Sequence, residues 1–320
     1  MKNESVSVVI PLFNKETWVA RAVESALRQT HGPSEVIVVD DGSTDASAEV
    51  VAEIDDRRVR IIRQSNQGVS AARNRGVQEA RHDWVAFLDA DDWWSPEFLR
   101  ACFTSVRSVP EGVLFGTNVS LGQSGKTVFP RAGSDPWIIH DFAEAALGQP
   151  FPPIPNTSCV VAKAALNRAG GFPVGIALGE DVETWLRLSL QGQFVLSRTP
   201  YIFYDDGDQQ SAVHRLHRTC GLNDPAAVVT FKRLRTSLDP DRRESFERYA
   251  RFSLMQCLQE SRNRSDWRNI WAIFRYHGTV AGASLALMLV ESVIRQSYYK
   301  LREQAALGSR LRKFRQRISS

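Results

Sequence analysis

Cysteine is scarce and scattered. The 320 residues hold four, Cys102, Cys159, Cys220 and Cys257, and no pair has C-x-x-C spacing. That excludes a thiolate zinc centre and a dithiol redox motif, and a chain this large with so few thiols is no disulfide scaffold. A reducing, cytoplasmic setting is expected. No stretch reaches the roughly 20 apolar residues of a membrane-spanning helix. Met1 to Ser5 leads directly into a strand pattern, without the apolar core of a secretory leader. After the first strand stands Pro11-Leu-Phe-Asn-Lys15. It lacks the G-x-G-x-x-G of a NAD-dependent dehydrogenase, and the glycine- and base-rich loop with which a nucleotidyltransferase would hold a triphosphate. Internal repeats and low-complexity segments are also missing.

What is present is ordinary in amount and uneven in placement. Hydrophobic residues make up 43% and charged residues 24%, and the formal net charge is +4. These values fit a globular chain with one large domain or one large and one smaller. The most informative stretch is Trp84-Val-Ala-Phe-Leu-Asp-Ala-Asp-Asp-Trp93. An apolar run of strand length stops at three carboxylates, Asp89, Asp91 and Asp92. Clustered carboxylates repel unless a cation lies between them, and hard cations such as Mg²⁺ or Mn²⁺ prefer oxygen ligands. A metal site at a strand end is one reading. The other is a solvated turn before the helix that Ser95-Pro96-Glu97 begins.

The pattern around this stretch alternates. Val6–Ile10, Val36–Val39, Val59–Ile62 and Trp84–Leu88 read as buried strands. Helical patterns run to about Gln29, over 45–53 and 69–80, and then over 95–108. Four strand–helix alternations within about 90 residues predict an α/β fold with a doubly wound, mostly parallel sheet. Its strand ends then gather the chemistry along one edge. Further on, short strands are expected at 113–117, 119–121, 126–129 and 157–161. A helix over 163–169 and an amphipathic helix from Gly179 through Leu190 follow, then strands at 194–196 and 201–204. Beyond His214 the chain reads helical, at 225–237, 241–262 and 267–277.

Four blocks carry a resemblance. They are Ser7-Val-Val-Ile-Pro-Leu-Phe-Asn14, Val38-Val-Asp-Asp-Gly-Ser-Thr-Asp45, Asn66-Gln-Gly-Val-Ser-Ala-Ala-Arg-Asn-Arg-Gly76 and Phe87-Leu-Asp-Ala-Asp-Asp92. With Gly179-Glu-Asp181, they are similar in order and spacing to family 2 glycosyltransferases of the GT-A fold, over about residues 5–205. The resemblance implies a catalytic domain; a shift in composition near 215 bounds it at 1–214, ahead of a C-terminal region over 215–320 that reads helical. The resemblance implies transfer of a sugar, with inversion, from a nucleotide-diphospho-sugar (UDP-linked) to a glycan or lipid-linked acceptor, with Mn²⁺ or Mg²⁺. It carries Asp91 over as a direct metal ligand, and Asp89 as a ligand of the metal or of the ribose. Pro11, Phe13, Asp40, Asp41, Arg73 and Ala90 fall to the nucleotide. Asp181 is the general base of such a reaction, with Glu180 positioning donor or acceptor. His214 is a candidate for completing the metal shell. Each has a plainer alternative: Asp40, Asp41, Glu180 and Asp181 as helix-capping acids, Phe13 as core, Arg73 or Arg75 as an exposed helix charge, His214 as a loop histidine.

The excess of base lies near the C-terminus. From Arg295 to Arg317 there are eight Lys/Arg against Glu303 alone, interleaved with Leu301, Leu307, Leu311, Phe314 and Ile318. Such a segment suits the inner face of an anionic membrane, or packing on its own domain. No nucleic-acid-binding motif accompanies the charge.

Overall fold

The computed structural model describes residues 4–121, 126–129, 133–147, 154–176, 179–204, 233–234, 236 and 238–263. The chain divides into two compact units, Met1–Ser253 and Leu254–Ser320. The boundary expected at 214, the basic tail and the helix expected at 267–277 lie outside the described residues, as does most of that expected at 225–237.

The first unit opens with β1 (Val6–Leu12), α1 (Val19–Leu27), β2 (Glu35–Asp40), α2 (Ser47–Ala52), β3 (Val59–Arg63), α3 (Val69–Glu79) and β4 (Trp84–Phe87). β1, β2 and β4 are buried along their whole length, as β-branched runs in a sheet covered on both faces should be. All three ladders here are parallel, β2 on β3, β1 on β2 and β1 on β4. From β1 the chain builds one way to β2 and β3, then returns to add β4 on the other side. The order therefore reverses at β1, and the carboxyl ends of β1 and β4 flank the crevice where open α/β sheets bind ligands. Gly76 lets α3 lie close on this sheet. A Cβ there would stand 2.2 Å from a methyl of Val9.

The second half follows with β5 (Trp93–Trp94), α4 (Phe98–Ser108), β6 (Gly112–Leu121), β7 (Lys126–Thr127), β8 (Trp137–Ile139), α5 (Phe142–Ala146), β9 (Cys159–Ala162), α6 (Lys163–Ala169), α7 (Glu180–Leu188), β10 (Gln193–Tyr204) and α8 (Pro240–Asn263). The sheet runs β3-β2-β1-β4-β9-β6-β10-β5. β9 lies antiparallel between β4 and β6, and β10 pairs parallel with β6. The fold is thus an α/β sheet flanked by helices, with its longest ladders parallel.

Several expectations need correction. The strands expected at 113–117 and 119–121 are one, β6. Those expected at 194–196 and 201–204 are also one, because Pro200 is absorbed as a register shift against β6 rather than ending the strand. Residues 157–158 belong to a 3₁₀ turn (Asn156–Ser158) before β9. β5, β8 and α5 were too short to carry a periodicity. β5 and β8 form because β10 offers them an edge, and α5 is capped by Asp141, whose side chain accepts from the Glu144 N–H.

Candidate active site

The ends of β1 and β2 interlock. Pro11 is buried and pairs with Val39, while Phe13 just beyond is 44% exposed. Asn14 adopts φ 52°, and its side-chain oxygen accepts from the Thr44 N–H at 2.8 Å. The Lys15 N–H donates to Ser47 Oγ at 2.7 Å. Asp40 is buried and accepts from the Ser43 N–H at 2.9 Å. Asp45 accepts from the N–H groups of Glu16 and Ser47.

Asp41 is 3% exposed. Its Oδ1 accepts from Gln64 Nε2 at 2.8 Å and the Gln67 N–H at 2.9 Å, and its Oδ2 from the Gly68 N–H at 2.8 Å. Gly68, at φ 90°, then starts α3. A carboxylate has about four acceptor directions. Asp41 therefore clamps the entry to α3 and, among the described residues, keeps one direction of Oδ2 for a further donor.

The β4 turn is held differently, by cations. Asp91 Oδ2 lies 2.8 Å from Lys15 Nζ, and the Asp91 carbonyl accepts from Arg21 Nη2 at 2.7 Å. Arg21 also covers the Trp93 ring at 3.9 Å. Asp89 Oδ1 lies 2.8 Å from Arg73 Nη2. Ala90 and Asp92 are buried, and the Asp92 N–H closes the turn on the Asp89 carbonyl at 3.0 Å. Beneath the turn, Thr157 Oγ1 accepts from the Asp89 N–H, and the Thr157 carbonyl accepts from Trp94 Nε1 at 2.9 Å.

Arg73 joins this turn to α7. Its second amino group lies 2.8 Å from Glu180 Oε1, and the side chain is 3% exposed. Burial alone would lower the guanidinium's pKa, but Asp89 and Glu180 outweigh it and push it up. Its neighbour Asn74 grips the Phe172 backbone twice, donating to the carbonyl and accepting from the N–H, both at 2.8 Å. α3 thus fixes both the Asp89 turn and the segment that leads into α7. Gly179, at φ 78°, turns the chain so that Glu180 and Asp181 stand in the first turn of α7.

Asp181 accepts from the Val182 N–H at 2.7 Å. Burial, then the charge of Glu180, push its carboxyl up to about 7, against the pull of the Val182 N–H and of Arg73. Tyr249 on α8 is buried, and burial together with the charge of Asp181 pushes its phenol up. α8 is docked here by Arg248 on Glu144 at 3.0 Å and by the buried Phe246 and Ala250.

Asp89, Asp91, Glu180 and Asp181 are therefore brought to one rim, with Arg73 between them. Asp40 and Asp41 lie at the adjacent strand end. His214 lies outside the described residues. Arg75 pairs with Glu79 on the helix surface, apart from Asp89 and Glu180. Sequence reasoning missed Lys15, Arg21, Asn74 and Thr157. Lys15, beside the first block, and Asn74, inside the third, offered a signal.

Among the described residues, no three of His, Cys, Asp and Glu lie close enough to hold a metal ion by themselves. The β4 turn supplies two partly exposed carboxylates. Mg²⁺ or Mn²⁺ beside a diphosphate ordinarily takes one or two carboxylates and completes its shell with phosphate oxygens and water. This all-oxygen pair fits such an ion.

Comparison with known proteins bears on the whole arrangement. Residues 7–163 match the family described as glycosyl transferase family 2. Over that stretch the chain belongs to glycosyl transferase family 2. Among curated family relatives, Glycosyltransferase GlyA of Streptococcus pneumoniae serotype 4 is 32% identical over 38% of this chain and 18% of its own length. Chondroitin synthase of Escherichia coli is 30% identical over 59% of this chain and 27% of its own. The chain spans less than half the length of these relatives. Two solved structures share the fold. S. aureus TarS 1-349 in complex with UDP-GlcNAc has a TM-score of 0.55 at 16% identity, over 87% of this chain and 90% of that one. Mannosyltransferase PcManGT from Pyrobaculum calidifontis, in complex with GDP-Man and Mn²⁺, has a TM-score of 0.59 at 17% identity, over 93% and 81%.

Proposed function

We propose that the chain is an inverting, divalent-metal-dependent glycosyltransferase. It moves a sugar from a UDP-linked nucleotide-diphospho-sugar to a hydroxyl of a glycan or lipid-linked acceptor. The observation that carries this reading is Arg73, one buried guanidinium 2.8 Å from a carboxylate of the β4 turn and 2.8 Å from a carboxylate of α7. It holds donor-side and acceptor-side acids at a single rim.

In this reading Pro11 and Phe13 wall the base, and the Asp40–Asp41 turn reads it through the remaining acceptor direction of Asp41 Oδ2. Asp89 and Ala90 line the ribose, and Arg73 and Glu180 fix the sugar end. A cation held by Asp91 and Asp89 would supply Lewis-acid neutralisation of the leaving diphosphate. Asp181 takes the proton of the attacking hydroxyl. With its carboxyl near pH 7 it is ionised at mildly alkaline pH and still basic enough to serve. The basic segment 295–317 would place the enzyme on an anionic membrane face, close to a lipid-linked acceptor.

Calorimetric titration of the purified chain with UDP- and GDP-sugars, with Mn²⁺ and with chelator, tests the donor. Saturable binding of a UDP-sugar that chelator abolishes is expected. If no nucleotide-sugar binds, the proposal is wrong. A chain ending at 280 should lose co-sedimentation with phosphatidylserine vesicles, and equal partition would remove the membrane role.

A further inference from the structure

Two carboxylates of the β4 turn pair with two cationic side chains of unlike freedom. Arg73 is 3% exposed and tied at both ends. Lys15 is 16% exposed, on a flexible four-carbon stem, with its ammonium 2.8 Å from Asp91 Oδ2 and 5.2 Å from the Trp18 ring centroid. The Lys15 backbone is fixed independently. Its N–H donates to Ser47 Oγ, and its carbonyl accepts from the N–H groups of Trp18 and Val19, both at 3.0 Å. The Asp91 backbone is fixed independently too, through Arg21. The Lys15 ammonium can therefore swing away while both loops stay in place.

An ammonium at 2.8 Å and a divalent cation at about 2.1 Å cannot share one carboxylate oxygen without strong mutual repulsion. We propose that Lys15 is the resident counter-cation of Asp91, which a divalent metal must displace and which the donor's diphosphate then receives, so that metal and donor bind as a coupled pair. This rests on the glycosyltransferase reading for the identity of the diphosphate. Metal alone has to break the Lys15–Asp91 pair. Metal arriving with a diphosphate gives Lys15 new anionic oxygens within reach, so each ligand should raise the affinity for the other by the same factor.

The test is Mn²⁺ binding followed by electron paramagnetic resonance, without nucleotide and then with UDP or GDP, on the intact chain. Lys15→Met should bind Mn²⁺ alone about five- to tenfold tighter than the unmodified protein. Lys15→Arg, which keeps the charge, should stay weak, and Asp91→Asn should abolish the gain. The mutual enhancement between Mn²⁺ and UDP should shrink in Lys15→Met. Unchanged or weaker Mn²⁺ affinity in Lys15→Met overturns the proposal, and so does undiminished enhancement. If neither UDP nor GDP binds any form, the glycosyltransferase reading fails, while the nucleotide-free Mn²⁺ comparison still decides Lys15.

Discussion

The acidic turns after β2 and β4 look alike in sequence, Val39-Asp-Asp-Gly42 and Leu88-Asp-Ala-Asp91, and are built in opposite ways. Asp41 is satisfied by neutral donors, two of them backbone N–H groups of the loop that starts α3. Asp89 and Asp91 are satisfied by cationic side chains. A carboxylate bound to backbone amides cannot change partners without moving the chain. One bound to an ammonium on a flexible stem can exchange it for another cation. The first turn is thus a clamp with one acceptor direction left over, and the second is held by cationic side chains, one of which can be exchanged. Asp181 belongs to neither kind. It is left protonatable by burial beside Glu180.

The largest effect should come from that third acid. Asp181→Asn is expected to lower kcat by roughly 10²–10⁴-fold with donor binding retained, measured by steady-state kinetics and donor titration. In the unmodified enzyme, kcat/KM should rise with unit slope as pH increases and level off above about 7. Stability should run the other way. The folded carboxyl is raised from 3.8 to about 7, so its contribution is fully present below about pH 4 and is lost as pH rises through 7. Asp181→Asn, with nothing to ionise, should gain Tm relative to the unmodified chain across that window. A flat difference from pH 4 to 8 would mean that burial does not perturb the group.

Removing the shared cation should cost next most. Arg73→Met leaves two buried or half-buried carboxylates facing each other, and a loss of about 3–5 kcal/mol in urea unfolding is expected. Wild-type stability would show that the turn and α7 do not depend on it. The comparison of turns is sharpest in a pair of variants. Asp41→Ala orphans the Gln67 and Gly68 N–H groups and should lose about 1–3 kcal/mol. Asp91→Asn should change stability by less than about 1 kcal/mol yet abolish metal-dependent donor binding. If the two variants behaved alike, the distinction between clamp and site would collapse. Smallest should be Arg248→Ala, an exposed pair to Glu144, at under about 1 kcal/mol with kcat unchanged.

Much of the parallel half was legible in sequence. β1, β2 and β4 are continuous apolar runs, and runs of that kind are buried by whatever sheet forms. The acids that follow β2 and β4 were visible too, as carboxylates standing where an apolar run stops. The second half was less legible. β5 and β8 are two and three residues long, and they exist because β10 offers an edge to pair with. Tyr249, more than 60 residues along the chain from Asp181, gave no signal in its own helix.

The sequence by itself determined the strand runs, the acidic turns and the order in which they come, because hydrophobic periodicity and turn chemistry act over a few residues. Only the tertiary structure decided what each carboxylate faces. Lys15 meets Asp91, Arg73 spans Asp89 and Glu180, and Asp41 turns inward onto the α3 entry loop. Those pairings join residues 16 to 107 positions apart. They depend on the reversal of strand order at β1 and on Gly76 letting α3 approach the sheet, and no local pattern records either.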